Sequence, residues 1–477
     1  MARSENTFPI RYKMKANLVF PWGVSVGADE ETSDSDTPIL QINNDQILVP
    51  GTSIAGVIRG TLHQMLDANP DLNNPPEIIK DTFGFAKDKE GKASRLKIHD
   101  VVLNCNPSVR DGVGIDRETG AARDTVKFDR EYSVLNCNGP LLIELDGDDE
   151  TKADDLAILK IIHLFLENGL FRFGGGRDAG LATTAELKIL EYILRDPESL
   201  HKYITNADGN LLDLSTIDRN LVPAKDTSWL NLRISFNADS PLLSNSDRVL
   251  EGHELLDDEE KPSDHTPLRL KDMNGDSFYV IPGTSLRGVF RQQLEMICRH
   301  KGEFVCDIHD RDYHKMSTQD KKKEKKPCDC AVCKIYGNSN QSSRINFGPA
   351  TMQAPKDPEE HEKLVDMVAI NRFSGGAMEQ HKFNARVITD GKFSFDIVMR
   401  DVKDDDLKLL FFLLRDFSDG FIPLGFGTRK GWGDVSDVKV SGKLIKLSNE
   451  GFSEIDLGSL DDLKAIIPQY SEAEAGS

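Results

Sequence analysis

Ile47-Leu48-Val49-Pro50-Gly51-Thr52-Ser53-Ile54-Ala55-Gly56-Val57-Ile58-Arg59 has a second version 232 residues further on, Phe278-Tyr279-Val280-Ile281-Pro282-Gly283-Thr284-Ser285-Leu286-Arg287-Gly288-Val289-Phe290-Arg291. In both, a short apolar run passes through Pro-Gly-Thr-Ser into apolar residues at helical spacing, the signature of a strand that turns directly into a helix. Two further blocks repeat in the same order. Ile115-Asp116-Arg117-Glu118-Thr119-Gly120 through Lys127-Phe128 matches Ile370-Asn371-Arg372-Phe373-Ser374-Gly375 through Lys382-Phe383 at a separation of 255 residues. Gly174-Gly175-Gly176-Arg177-Asp178-Ala179-Gly180 matches Gly425-Phe426-Gly427-Thr428-Arg429-Lys430-Gly431, each after an apolar helical stretch. Three blocks in one order mark an internal duplication.

Each copy reads as strand, long loop, strand end, helix, variable insert, second helix and closing strand. The second helices are expected over Asp154 to Gly169 and Asp404 to Gly420. Leu156, Leu159, Ile162, Phe165 and Leu166 share one helical face, Asp154 and Asp155 favour the N-terminus, and Gly169 stands where a C-cap glycine belongs. Two helices on one face of a mostly antiparallel sheet make an α+β fold, and the ferredoxin-like βαββαβ order fits. Many RNA-recognition domains use that order. The expected division is a first module over 1–200, a polar linker region over 201–228, a second module over 229–470 with an insert at about 298–337, and a tail over 471–477.

Composition narrows the class. A 477-residue chain with 38% hydrophobic and 29% charged residues is that of a globular protein with room for several cores. Met1 to Ile10 lacks the apolar stretch of a signal peptide, and the longest apolar run, Leu409 to Leu414, is far too short for a membrane span. Seven cysteines, four of them between Cys306 and Cys333, suit a metal site in a reducing compartment, so a cytoplasmic protein is expected. The net charge of −20 speaks against a free-standing nucleic-acid binder and predicts weak RNA binding by the isolated chain. Basic residues gathered in one groove would reconcile the two.

Cys306-Asp307-Ile308-His309 and Cys328-Asp329-Cys330-Ala331-Val332-Cys333 offer five candidate ligands for a tetrahedral zinc site. Cys330 and Cys333 form a Cys-x-x-Cys knuckle and Cys306 joins them, while Cys328 and His309 compete for the fourth place. A metal clip would stabilise the charged segment between the ligands, which includes Lys321-Lys322-Lys323-Glu324-Lys325-Lys326 and has no apolar core. With all four positions filled by protein, the site would be structural. The first copy has no counterpart, and Cys105 and Cys137 read as buried thiols.

At the Pro-Gly-Thr-Ser junctions the helix N-terminus offers unpaired N–H groups and a positive dipole end to a phosphate. Gly51 and Gly283 would allow close backbone approach, Thr52 or Ser53 could cap the helix, as Thr284 or Ser285 could in the second copy, and Arg59, Arg287 and Arg291 could add phosphate contacts. An ordinary capped strand–helix turn explains the same residues. No Ser/His/Asp triad, HExxH or P-loop is present. Acidic loops precede each junction, Ser33-Asp34-Ser35-Asp36-Thr37-Pro38 and Ser263-Asp264-His265-Thr266-Pro267.

The junctions, the Phe83-Gly84 and Tyr336-Gly337 pairs that follow them, and the closing Gly-rich loops together resemble the RAMP superfamily of CRISPR proteins. Cys330 to Gly337 is similar to the zinc-associated form of the middle motif in type III backbone subunits, and the double architecture resembles fused backbone subunits of type III-D systems. The resemblance implies a junction lining the guide-RNA groove and thumb-like hairpins, basic at Arg117, Arg123, Lys127, Arg372 and Lys382, that wedge between bases of a guide–target duplex. It also implies a target-cleaving aspartate immediately before a Ser/Thr-Pro pair. That is Asp36 in the first copy; in the second the aligned position is His265, with Asp264 one step earlier and His265 a possible acid–base group. Metal-dependent endoribonuclease chemistry with magnesium or manganese is implied, with guide CRISPR RNA, complementary target RNA and other effector subunits as partners and no membrane. The competing readings are a non-catalytic backbone subunit and a stand-alone endonuclease that processes precursor guide RNA. The latter needs a histidine-centred site, for which the first copy offers only His63, His99 and His163.

Overall fold

A computed structural model describes residues 8–28, 35–67, 75–87, 90–115, 122–176, 178–214, 221, 223–246, 263–306, 328, 330–338, 341–355 and 360–467. They form two compact units, the first mainly before residue 228 and the second mainly after it.

The first unit is built on four strands of a six-stranded antiparallel sheet and two long helices. These strands are β1 (Ile10–Phe20), β2 (Leu96–Ile98), β5 (Cys137–Gly147) and β6 (Leu181–Ile193), in the spatial order β6-β1-β5-β2. Helix α1 (Gly51–Leu66) lies between β1 and β2 in the chain, and α3 (Lys152–Glu167) between β5 and β6. This is the expected βαββαβ order, the fourth strand lying beside the first and the third between first and second. The period-two pattern of β1 explains its place: Tyr12, Met14, Leu18 and Phe20 alternate inward and are fully buried, with Tyr12 opposite Leu145 and Met14 opposite Ile143. Helix α1 meets the sheet through Ile54, Ile58 and Leu62, four residues apart and buried. Residues of the expected linker region continue this unit: Asn210 and Leu211 pair with Glu191 and Leu190, and the Tyr203 ring lies 5.4 Å from that of Tyr192.

The second unit repeats the plan with β7 (Thr227–Ala238), α4 (Gly283–His300), β8 (Ile345–Phe347), β11 (Gly391–Arg400), α6 (Asp404–Ser418) and β12 (Val435–Ser448), in the order β12-β7-β11-β8. Leu286, Phe290 and Leu294 stand where Ile54, Ile58 and Leu62 stand in the first unit. The core is more aromatic here: Phe290, Phe347, Phe395 and Phe417 pack with centroids 5.3 to 6.5 Å apart. In each unit a long hairpin is inserted between the second and third sheet strands, β3–β4 (Ser108–Ile115, Ala122–Tyr132) and β9–β10 (Glu362–Ile370, Ala377–Ile388). Short helices α2 (Glu77–Phe83) and α5 (Ala331–Tyr336) end on Gly84 and Gly337, so the Phe-Gly and Tyr-Gly pairs are helix C-termini.

One polar interaction recurs inside both units. The Arg95 guanidinium donates to both oxygens of Asp155 at 2.8 and 3.0 Å and to the Asp146 carbonyl at 2.6 Å. Arg344 donates to Asp406 at 2.7 and 2.9 Å and to the Asp401 carbonyl at 2.6 Å. Asp155 is wholly buried; burial pushes its carboxyl above the ordinary value and Arg95 opposes that shift. Arg95 also donates to the partly exposed Asp81 at 3.0 Å and keeps that partner when Asp155 is removed, whereas Arg95→Met strands the buried Asp155 carboxylate and is therefore expected to cost about 3–5 kcal/mol in urea unfolding. Combining Asp155→Leu with Arg95→Met should recover most of that loss. Equal destabilisation by the single and double replacements would argue against the pair.

Candidate functional site

The acidic loops lie against the hairpins through a shared set of hydrogen bonds donated by hairpin N–H groups. In the first unit one carboxylate oxygen of Asp36 accepts from the Asp129 N–H at 3.0 Å, the Thr37 carbonyl from the Glu131 N–H at 3.1 Å, and the Val24 carbonyl from the Ser133 N–H at 2.9 Å. In the second, Asp264 accepts from the Asn384 N–H, His265 from the Arg386 N–H and Leu242 from the Ile388 N–H, all at 2.9 Å. Residue for residue, Asp264 therefore occupies the position of Asp36 and His265 that of Thr37. This corrects the alignment on Thr-Pro, which put His265 opposite Asp36. The extra residue in the second loop falls after the aspartate, and the hairpin bonds set the register. Both aspartates are exposed, whereas Ser33 and Asp34 lie outside the described residues. The Asn384 side-chain oxygen also accepts from the Asp264 N–H at 2.8 Å. His265 is a packing ring, 5.2 Å from Phe426 and 6.3 Å from Phe383 between centroids, with its buried Nδ1 unbonded.

The Gly-rich loops need the same kind of correction. The Phe173 N–H donates to Gly180 and the Leu424 N–H to Gly433, both at 2.9 Å. Gly180 and Gly433 have φ of +79° and +86°, and a Cβ on either would lie 2.0 or 1.9 Å from the carbonyl oxygen of Phe173 or Leu424. Gly180 thus matches Gly433 rather than Gly431, and the second loop is two residues longer.

At the junctions the helix N-caps are Pro50 and Pro282, and neither helix has a side-chain cap. The expected capping by Thr52 or Ser53 is absent because these residues lie inside the first turn. Gly51 is required by packing: a Cβ there would lie 2.1 Å from the Ile98 carbonyl oxygen, and its N–H already donates to Asp100 at 2.7 Å. Thr52, Thr284 and Ser285 are exposed, Ser53 and Arg59 half-buried, and Gly283 buried. Arg287 and Arg291 turn inward instead of facing a ligand. Arg287 donates to the Tyr336 carbonyl, and Arg291 to the Gly337 carbonyl at 3.2 Å and Glu295 at 3.1 Å. Both sit near the Tyr336 ring, in a space closed by α5.

On the hairpins, Lys127, Arg372 and Lys382 are exposed, and Lys382 lies 3.3 Å from Asp366. Arg117 lies outside the described residues. The hairpins also expose apolar side chains: Val113, Ile115 and Phe128 on the first; Leu364, Val368, Ile370 and the fully exposed Phe373 on the second. His63, His99 and His163 do not converge: each faces its own carboxylate, Asp67, Glu144 and Glu167, at 3.6, 3.3 and 3.8 Å.

The cysteines of the insert do converge. The sulfurs of Cys306, Cys328, Cys330 and Cys333 all lie within 4.8 Å of one another, with Cys306 3.3 Å from Cys333 and 3.8 Å from Cys330. A tetrahedron of sulfurs about 2.3 Å from zinc has edges of roughly 3.8 Å, so this cage fits the ion. The Cys333 N–H points at the Cys330 sulfur at 3.4 Å, the orientation that supports a thiolate. Burial would raise the Cys330 thiol, but these backbone donors and the neighbouring cysteines bring it down to about 7. Cys328 supplies the fourth ligand atom, and His309 lies outside the described residues. Arg291 also reaches the Cys333 sulfur at 3.9 Å, tying the cage to α4.

A family model of the RAMP superfamily matches residues 21–181 and 236–436, one stretch in each module, each containing an aspartate loop, a junction and a hairpin. The chain belongs to the RAMP superfamily. That superfamily includes subunits of type III CRISPR effector complexes and some endoribonucleases. No curated protein matches the chain. Among the described residues of this RAMP protein no helix is long and apolar enough to cross a membrane.

The sequence reading missed what packs at the base of each hairpin. In the first module Arg110 is buried over the Tyr132 ring at 4.3 Å, its guanidinium nitrogens without a hydrogen-bond partner, and Tyr132 donates to Asp178 at 3.2 Å. In the second, Trp432, Leu243, Ala385 and Val387 form an apolar cluster at the hairpin base, with Val365 and Met367 packed on it. The 255-residue separation could have flagged this change, since it sets Val365 opposite Arg110.

Cys333→Ser is expected to abolish zinc binding, measured as metal per chain, and to lower the melting of the second unit while sparing the first. Chelation of the wild type should do the same. A variant that keeps its zinc and its melting temperature would sink the cage as a metal site.

Proposed function

We propose that this RAMP protein is a double backbone subunit of a type III CRISPR effector complex, holding guide RNA along both modules and cutting complementary target RNA at Asp36 and Asp264. The observation that carries the reading is their equivalence. Each is an exposed carboxylate held by one hairpin N–H, immediately beside a hairpin with exposed apolar residues. Thr52, Thr284, Ser285 and Arg59 are the proposed guide contacts at the junctions, joined by Lys127, Arg372 and Lys382 on the hairpins. Gly51, Ser53 and Gly283 shape the junctions, and Arg287 and Arg291 support the second from within. Arg117 completes the proposed set.

In this reading the hairpin splays a base of the target and brings the neighbouring linkage towards in-line geometry. The carboxylate orients the 2′-hydroxyl and accepts its proton. The 2′-oxygen then bonds to phosphorus as the bond to the 5′-oxygen breaks, and solvent protonates the leaving group. Among the described residues neither loop gathers three metal-ligating side chains. A catalytic magnesium or manganese ion would be held jointly with RNA phosphates, and when bound it would neutralise developing charge on them. The inert-backbone reading shares every feature except the role of the aspartates, so one experiment separates the two.

The complex assembled on a guide RNA, given a matched labelled target, should release distinct products. Asp36→Ala and Asp264→Ala should each slow one product by about a hundredfold or more and spare the other. Unchanged cleavage in both variants would establish an inert backbone.

A further inference from the structure

The two aspartates share a backbone frame but differ in one neighbour. In the first module the Gly175 N–H donates to the Ser25 carbonyl at 2.6 Å, and in the second the Phe426 N–H makes the corresponding bond to Leu243 at 2.7 Å. Phe426 therefore stands where the first module has no side chain. It packs on the ring of His265, the residue after Asp264, with centroids 5.2 Å apart and planes at 37°. It also meets buried Trp432 edge-on at 6.3 Å. Phe426 nonetheless remains 39% exposed.

The longer Gly-rich loop adds a cation to this surface. Thr428–Lys430 form a single helical turn between Gly427 and Gly431, both in the left-handed region, and this turn folds Lys430 back over the rings. Its ammonium lies 4.8 Å from the centroid of Phe383, 5.4 Å from Phe426 and 5.8 Å from Trp432. A partly open aromatic face, a lysine beside it and a carboxylate one residue from the supporting ring form a combination suited to a nucleobase and its phosphate. The ring accepts the base by stacking and the lysine answers the phosphate charge, without selecting sequence.

We propose that Phe426, backed by His265 and Trp432 and flanked by Lys430, is a stacking shelf for one unstacked nucleobase of the target strand at the second module only. This deepens the proposed function, because it rests on target RNA reaching Asp264. Phe426 and Lys430 are positioning residues: by holding the base out of the helix they place its linkage at Asp264. The first module, with Gly175 at that point, positions its substrate without a shelf.

The test uses the full-length chain assembled on a guide RNA. The target is a matched RNA carrying 5-iodouridine at one position at a time, which photocrosslinks to an aromatic ring it stacks on. One target position is expected to crosslink to Phe426. Phe426→Ala should lower that yield about tenfold, Phe426→Trp should restore it, and Asp264→Ala should leave it intact. Phe426→Ala should also slow the Asp264-dependent product about tenfold and spare the Asp36-dependent one. The shelf is overturned by crosslinks that never map to Phe426, by a yield unchanged in Phe426→Ala, by crosslinks from guide uridines in their place, or by equal slowing of both products. Because the crosslink needs no cleavage, a wild type that crosslinks but does not cut leaves the shelf standing and refutes only the nuclease reading.

Discussion

In each module a guanidinium enters the core where the second sheet strand begins and meets a carboxylate in the first turn of the second helix, Arg95 with Asp155 and Arg344 with Asp406. Strand and helix are distant in the chain, so hydrophobic burial alone leaves their relative rotation weakly specified. Paired hydrogen bonds between two planar groups remove that freedom, since turning the helix would strand two buried charges. The same arginine holds a carbonyl at or just beyond the end of the third strand, at Asp146 or Asp401. Three elements thus meet at one side chain, and the hairpin and Gly-rich loop grow from the ends of elements held there.

Much of this order could be read in the sequence. Alternation in Ile10–Phe20 and helical spacing at Ile54, Ile58 and Leu62 report which faces are buried, and burial is what generates such patterns. The Arg-Asp pairs were less legible, because a buried charge looks like a surface charge until its partner is placed beside it. Ser94-Arg95 and Ser343-Arg344 do repeat, but at a separation of 249 residues that matches neither of the spacings set by the longer blocks. For the same reason Arg287 and Arg291 were expected outside and lie inside: nothing local in the helix shows that α5 covers that face.

Register was the other gap. Thr-Pro is a conspicuous pair, yet it lies in a loop where an extra residue costs little conformational energy, so it makes a poor anchor for alignment. The anchors that hold are the N–H groups of the hairpin strands, which must find acceptors and find them at Asp36, Thr37 and Val24, or at Asp264, His265 and Leu242. Asp36 and Asp264 accept through their carboxylates, but the other four bonds are invisible as residue types, because any side chain can stand where only a carbonyl is used.

That invisibility separates what duplication preserved from what it let change. Positions whose backbone closes the frame are held geometrically, while the side chains they carry are free to diverge. The space at the hairpin base shows the outcome: Arg110, Tyr132 and Asp178 in one module, Trp432, Val365 and Met367 in the other. A buried guanidinium over a tyrosine and a tryptophan in an aliphatic setting are alternative fillings of the hairpin base, one charged and one apolar. Two copies of one fold can thus keep equivalent aspartates while filling each hairpin base differently, and the acidic total of the chain says little about either. Its net charge of −20 is a sum over both modules, whereas the hairpins and the second Gly-rich loop carry their own local cations, Lys127, Arg372, Lys382 and Lys430.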